Sequence, residues 1–108
     1  MAQVKHVVLL KLRATTSEQK IREIFMALDG LRSKIPGLLD FSGGPYSSKE
    51  GLQKGFTHGF AMTFADPQSR DAYLAHPDHE NVKQMIIPEL DGGLDGVVAF
   101  DWLCPTKP

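Results

Sequence analysis

The chain contains one cysteine, one tryptophan and no apolar run long enough to cross a bilayer. A single cysteine, Cys104, excludes an intrachain disulfide and is typical of proteins from reducing compartments. Near the N-terminus, Lys11 and Arg13 interrupt the first apolar run, and no small-residue cleavage site follows it. We therefore expect a cytoplasmic protein with no membrane partner.

A strong net charge is also absent. Twelve Lys and Arg residues stand against thirteen Asp and Glu residues, for a formal net charge of -1. This balance provides no general field that would attract nucleic acid, so no nucleic-acid partner is expected. The four histidines form no zinc motif, because Pro77 separates His76 from His79 and no third ligand has a diagnostic spacing. No cofactor is expected.

Apolar residues, by contrast, suffice for one compact core. They make up 42% of the 108 positions, which suits a single domain over residues 1–108. Between residues 4 and 12 the chain is β-branched and aliphatic, which predicts a strand. The period of two places His6 and Val8 on one face of this strand and Val7 and Leu9 on the other.

A long helix is predicted after this strand. Thr15 and Glu18 form a capping-box pattern, and apolar residues then recur at helical spacing until Pro36. A short strand over 38–42 is expected next, followed by a polar loop that begins at Gly43.

In the second half of the chain, the sequence again predicts a strand, then helices, then a strand. Alternating phenylalanines predict a strand over 56–64, and Asp66 predicts the cap of a helix that must end before Pro77. Asp78 is expected to cap a further helix, and a last strand is predicted over 96–102.

The resulting order, β-α-β-β-α-β, is that of the ferredoxin-like α+β fold, a four-stranded antiparallel sheet with helices on one face. Val7, Leu9 and Ala61 then lie on the other face, which no helix remains to cover. A second copy of the chain is the expected cover, because it would bury this apolar face. We therefore predict a homodimer that associates through its sheet faces, a dimeric α+β barrel.

Four sequence blocks carry a resemblance to a known family. They are residues 4–11 (VKHVVLLK), 55–58 (GFTH) with Phe64, 73–79 (YLAHPDH) and 100–102 (FDW). In content and order they resemble the stress-responsive A/B barrel (Dabb) family over nearly the whole chain. This resemblance implies a dimer whose two sheets enclose a shared barrel, as in heat-stable plant members.

The resemblance also implies site residues. One plant member is a cofactor-free polyketide cyclase, whose catalytic positions match His6, Tyr73 and His79. The implied pocket for a small hydrophobic ligand lies between helices and sheet, with Val8, Leu10, Phe25, Leu28, His58 and His76 as its predicted lining. Some members hold magnesium through backbone carbonyls at the end of the first helix, which correspond to Arg32, Ile35 and Leu38.

Two positions depart from the pattern of that cyclase. Residues 42–45 read Ser-Gly-Gly-Pro where the cyclase has Trp-Gly-x-Asp, and Leu28 replaces an aromatic residue of the first helix. Both changes alter the expected pocket lining, so the cyclase's substrate does not carry over to this chain.

Polyketide ring closure begins with removal of a proton next to a carbonyl group, which requires a base with a pKa near neutrality. His79 is expected in the first turn of a helix, where the helix dipole disfavours the imidazolium form. His6 is expected to orient His79, and Tyr73 to hold the developing enolate oxygen. In the alternative, structural interpretation, the histidines, His58 included, make local hydrogen bonds and Tyr73 fills the core.

Three functions stay open on this basis. The first is a dimeric binder or enzyme acting on a small hydrophobic molecule, and the second is a stress-protective dimer whose only role is its stability. The third, cofactor-free oxygenation, rests on fold analogy alone. A hydrophobic ligand that raises the melting temperature would favour the first over the second.

Overall fold

The computed structural model describes residues 2–105. In chain order its elements are β1 (Val4–Leu10), α1 (Glu18–Gly30), a 3-10 turn (Leu31–Ser33), β2 (Leu38–Pro45), β3 (His58–Phe64), α2 (Pro67–Leu74), α3 (Pro77–Ile86), two 3-10 turns (Ile87–Glu89 and Gly93–Gly96) and β4 (Val97–Leu103). The strands form one antiparallel sheet in the order β2-β3-β1-β4. The predicted ferredoxin-like α+β fold is confirmed. Residues 1 and 108, the limits of the predicted domain, lie outside the described residues.

The hydrophobic core lies between the sheet and the helices. In β1, buried residues alternate with more exposed ones, as the period of two predicts. The buried face of β1 comprises Val4, His6, Val8 and Leu10. Ile24 and Leu28 of α1 belong to the same core cluster. The sheet therefore has its helices on the face that carries His6.

The first helix begins later than its sequence indicates. Ser17, not Thr15, is the N-cap, and its side chain accepts a hydrogen bond from the Lys20 N–H over 3.0 Å. Thr15 lies in a turn closed by a hydrogen bond from the Thr16 N–H to the Arg13 carbonyl, and this turn keeps it outside the helix. The predicted Thr15 capping box is therefore wrong.

The cap of α3 also differs from the prediction. His76 is the N-cap, and its Nδ1 accepts a hydrogen bond from the Asp78 N–H over 3.0 Å. Because Pro77 holds the first helical position, the residue before it is extended, as an N-cap must be. Asp78 therefore lies inside the first turn. The prediction for α2 is confirmed, since the Asp66 carboxylate accepts from the Ser69 N–H over 2.8 Å.

The second strand is longer than predicted, because β2 includes the glycines that were expected to start a loop. Gly43 lies opposite Phe60 of β3. A Cβ atom at residue 43 would lie 2.7 Å from the Phe60 Cβ and 2.8 Å from a ring carbon of Phe25. Glycine here permits close approach of β2 to its neighbours rather than a turn.

The opposite face of the sheet is apolar and exposed. Val7 and Leu9 lie on it and pair with Phe100 and Val98 of β4, and Trp102 lies on the same face opposite Lys5. Phe100 is 64% exposed and Trp102 is 45% exposed. None of the helices within residues 2–105 has the length and hydropathy of a membrane span.

Candidate functional site

His6 forms the buried polar centre of the sheet's helix-covered face. It lies opposite Asp101 in the β1–β4 register, so both side chains project from the same face. His6 Nδ1 is 2.6 Å from Asp101 Oδ1. Because a carboxylate only accepts, Nδ1 carries a proton at this contact, and the second ring nitrogen, Nε2, faces away from Asp101.

Arg70 of α2 holds the second oxygen of the same carboxylate. Its Nη1 donates to Asp101 Oδ2 over 2.9 Å, and its Nε donates to Asp71 Oδ1 over 2.7 Å. Hydrogen bonds to Asp71 and then to Asp101 raise the pKa of the Arg70 guanidinium. The Asp101 carboxylate is therefore fixed between a guanidinium and an imidazole.

Tyr73 separates His6 from the second histidine of the site. Its ring centroid is 5.9 Å from that of His6 and 4.4 Å from that of His79. Only 1% of Tyr73 is exposed. Burial, together with the negative charge of Asp101, raises the pKa of the Tyr73 hydroxyl. The hydroxyl therefore stays protonated at neutral pH and can donate a hydrogen bond.

His79 lies in the first turn of α3, as predicted. Its Nδ1 is 3.2 Å from the Leu74 carbonyl oxygen, which can only accept, so this nitrogen carries the proton and Nε2 is the basic atom. Burial lowers the pKa of His79, with smaller contributions in the same direction from Lys83 and His6. The opposing effects of the Leu74 carbonyl and Glu80 do not reverse the shift. The neutral ring is therefore favoured at pH 7.

A cavity of ≈ 240 Å³ brings these three side chains together. Its wall consists of His6, Val8, Leu10, Leu28, Phe60, Tyr73, Leu74, His79, Val82, Lys83, Ile86, Ile87, Leu90, Leu94, Val97 and Ala99. Of the residues predicted to line the ligand pocket, Val8, Leu10 and Leu28 are in this wall. The wall is apolar except for one cluster of polar rings and one lysine.

The structure places the other three predicted lining residues, Phe25, His58 and His76, outside the cavity. His76 caps α3. His58 Nδ1 is 2.8 Å from Thr57 Oγ1, and the ring lines a separate open groove. Burial lowers the pKa of His58, against an opposing effect of Glu18. Phe25 packs beside His58, with ring centroids 5.8 Å apart.

The predicted magnesium ligands lie at the end of α1. Arg32 is in the 3-10 turn and its guanidinium is 2.8 Å from Asp29. The Ile35 carbonyl accepts a hydrogen bond from the Leu38 N–H over 3.2 Å. Within residues 2–105, no three His, Cys, Asp or Glu side chains are grouped as metal ligands. A site built from the backbone carbonyls of Arg32, Ile35 and Leu38 stays a prediction.

Sequence reasoning missed Asp101, Arg70 and Lys83 as site residues. Asp101 is the central residue of the FDW block, but its partner is known only once the β1–β4 register is known. Arg70 lies 31 residues from Asp101 in sequence, and no local pattern joins them. Lys83 is four residues after His79 on one helix, a spacing that places both on one helix face and could have indicated it.

Fold and site together define a ferredoxin-like α+β domain with an apolar cavity that contains two histidines and a tyrosine. The family model described as Stress responsive A/B Barrel Domain matches residues 4–104. The chain belongs to this family, which its sequence blocks had suggested.

Named relatives agree with this assignment. Stress-response A/B barrel domain-containing protein HS1 of Arabidopsis thaliana is 32% identical over 99 residues, which cover 92% of this chain and 87% of that protein. Olivetolic acid cyclase of Cannabis sativa is 29% identical over 76 residues, which cover 70% and 75%. A dimeric ferredoxin-like protein of unknown function from Jannaschia superposes with a TM-score of 0.84 at 32% identity, over 93% of this chain and 97% of that one.

Proposed function

We propose that this chain is a homodimeric A/B barrel protein that binds a small hydrophobic molecule and catalyses cyclase-like proton transfer without a cofactor. In this proposal His79 is the base. The observation that carries it is the position of Tyr73 between two imidazoles in the wall of one apolar cavity. A cytoplasmic location goes with it, because a single cysteine suits a reducing compartment.

Two observations support the homodimer. The sheet face that carries Val98, Phe100 and Trp102 is apolar and exposed in the single chain. An apolar patch of this kind marks an association surface in soluble proteins. The Jannaschia relative, which is similar over nearly the whole chain, is described as dimeric.

The geometry supports the following catalytic roles for His79 and Tyr73. His79 Nε2 takes a proton from the carbon next to a substrate carbonyl, and the electron pair left behind forms an enolate. The Tyr73 hydroxyl donates a hydrogen bond to the enolate oxygen, which its raised pKa allows. The enolate carbon then attacks a second carbonyl carbon, and the proton held by His79 passes to the oxygen of that carbonyl.

His6 has a supporting role in this scheme. Asp101 holds its Nδ1–H over 2.6 Å, so the ring cannot rotate freely and its Nε2 faces away from the carboxylate. The His6 ring is therefore held in one orientation beside Tyr73. One relative supports the reaction class, since olivetolic acid cyclase is similar to 70% of this chain.

A proton-exchange experiment tests the proposal without knowledge of the natural substrate. The probe is 4′-propylacetophenone, whose methyl hydrogens next to the carbonyl exchange with deuterium when a base removes them. We expect the protein to accelerate this exchange, as followed by NMR, and His79→Ala to remove the acceleration. His58→Gln is the matched control, because His58 also has a lowered pKa but lies outside the cavity.

The same samples separate the alternatives. If the probe raises the melting temperature but exchange is not accelerated, the protein is a binder and His79 is not a base. If the probe neither binds nor exchanges, the hydrophobic-ligand proposal fails, and a stable dimer without a ligand is the remaining function.

A further inference from the structure

Burial of the wall residues decreases from the floor of the cavity to its mouth. Its floor is formed by fully buried side chains, among them Leu10, Leu28 and Leu90. Among the wall residues, Leu74, Leu94 and Ala99 are exposed, and Lys83, His79, Ile87 and Val97 are partly exposed. This side of the wall is the mouth, and the Lys83 side chain is 45% exposed there. A ligand therefore enters with its apolar end first and keeps its other end near water.

Lys83 gives this mouth a positive charge. Among the described residues of the wall it is the only Lys, Arg, Asp or Glu. It lies one helical turn after His79 on α3, so its ammonium is on the same side of the helix as the base. Asp101 does not line the cavity and is already bound by Arg70 and His6. The wall therefore contains no carboxylate that would repel an anion.

The ion pair between Lys83 and Glu80 leaves Lys83 able to bind a ligand anion. Its Nζ is 3.4 Å from Glu80 Oε2, and the side chains are 45% and 56% exposed. An ion pair with this exposure contributes little free energy, because water screens it and both side chains lose rotamer freedom. Glu80 also accepts a hydrogen bond from Gln84 Nε2 over 3.0 Å. A ligand anion can therefore replace Glu80 at low cost.

From this arrangement we infer that the ligand is a small amphipathic carboxylate whose apolar body fills the cavity and whose negative group pairs with Lys83 at the mouth. This inference rests on the proposed function and specifies its substrate class. An anion at the mouth stays partly hydrated, which avoids the cost of burying a charge. One lysine suits a monoanion, whereas bidentate recognition of phosphate typically uses arginine.

The volume of the cavity limits the size of the ligand's apolar body. A dry protein cavity of about 150 Å³ accepts a benzene ring, and this one is ≈ 240 Å³. One ring with a short alkyl chain therefore fits.

Two probes of equal shape test the inference by isothermal titration calorimetry on the full chain. They are 4-propylbenzoate, which is negative, and 4-propylbenzamide, which is neutral. We expect the benzoate to bind about five-fold more tightly than the amide, as one partly exposed ion pair allows. Added salt should reduce this preference and leave amide binding unchanged.

Variants assign the preference to Lys83. Lys83→Met should remove the preference for benzoate and preserve amide binding, whereas Glu80→Gln should increase the preference because it frees Lys83. Lys49→Met is the control, since it removes the same charge at an exposed residue that does not line the cavity. Amide binding in every variant also shows that the cavity is intact.

The outcomes are distinct. If both probes bind equally, or if the preference survives in Lys83→Met, the inference about Lys83 is overturned while the apolar-ligand proposal stands. If neither probe binds, the proposed function fails and the inference fails with it.

Discussion

His6 and Asp101 form the closest polar contact of the site, with 2.6 Å between Nδ1 and Oδ1 across neighbouring strands. The same carboxylate binds Arg70, so it joins β1, β4 and α2 through one side chain. A network of this kind has both oxygens occupied, and it loses stability when either acceptor becomes a donor.

Asp101→Asn should therefore lower the free energy of unfolding by about 1–3 kcal/mol, because its amide N–H₂ would face a donor from Arg70 or His6. Urea unfolding measures the change. Asp71→Asn is the matched control, since Asp71 also binds Arg70 but its side chain is 67% exposed. A loss as large in Asp71→Asn would show that the Asp101 network has no special role.

Gly43→Ala and Gly44→Ala are adjacent changes with different expected costs. At Gly43 the new Cβ meets Phe60 and Phe25 at less than 3 Å, whereas nothing lies within 4 Å at Gly44. We expect the first to destabilise the fold by about 1–3 kcal/mol and the second by much less. Thermal denaturation of both variants checks this, and equal melting temperatures would contradict it.

His76→Ala removes the cap of α3, while His76→Asn replaces it with another capping side chain. We expect the alanine variant to lose about 1 kcal/mol of unfolding free energy and the asparagine variant to recover most of it. Urea unfolding at pH 7.5 measures both. Equal losses in the two variants would mean that the hydrogen bond to the Asp78 N–H contributes nothing.

Stability should fall between pH 7.5 and pH 5.5. Burial lowers the folded-state pKa of His79 below its ordinary value of 6.5, so the unfolded chain binds a proton more readily. The neutral His79 ring thus makes its full contribution to the free energy of unfolding above about pH 6.5. This contribution is lost as pH falls through the folded-state pKa of His79. His58 acts in the same direction.

Urea midpoints at the two pH values, for the wild type and for His79→Gln and His58→Gln, test this expectation. Between pH 7.5 and pH 5.5, the urea midpoint of each variant should fall by less than that of the wild type. This pH range lies above the ordinary pKa values of the Asp66 carboxyl group, 3.8, and the Glu80 carboxyl group, 4.5. Protonation of these two groups therefore contributes little to the loss of stability. An unchanged loss in both variants would assign the effect to other groups.

Phe100→Glu should dissociate the proposed dimer, because it places a charge in an apolar interface. Analytical ultracentrifugation measures the mass. Met26→Glu is the control, since Met26 is even more exposed but lies on α1, on the other side of the molecule. A Phe100→Glu variant that remains dimeric would move the interface away from this sheet face.

Periodicity and proline placement predicted most of the fold. The alternation in β1 and the Asp66 cap of α2 appear in the structure as the sequence indicates. The errors have local causes. Glycine pairs usually mark turns, but Gly43 is required by the close packing of Phe60 and Phe25. Thr15 matches a capping box, but a competing turn leaves the cap to Ser17.

The candidate site was predictable where it depends on residue type and not where it depends on register. The resemblance of the sequence blocks to the family implied His6, Tyr73 and His79, and the structure groups them around one cavity. Asp101 could not be paired with His6 before the strand register was known. His58 and His76 could not be separated from the cavity by sequence, because only tertiary packing decides which histidines meet.

Trp102 lies on the sheet face opposite the cavity, and it is the chain's single tryptophan. Its indole fluorescence therefore reports on one side of the molecule alone. Dilution that separates two subunits would expose the indole and move its emission to longer wavelength. A ligand that fills the cavity leaves the indole's surroundings unchanged, so one optical signal can distinguish assembly from binding in the unlabelled protein.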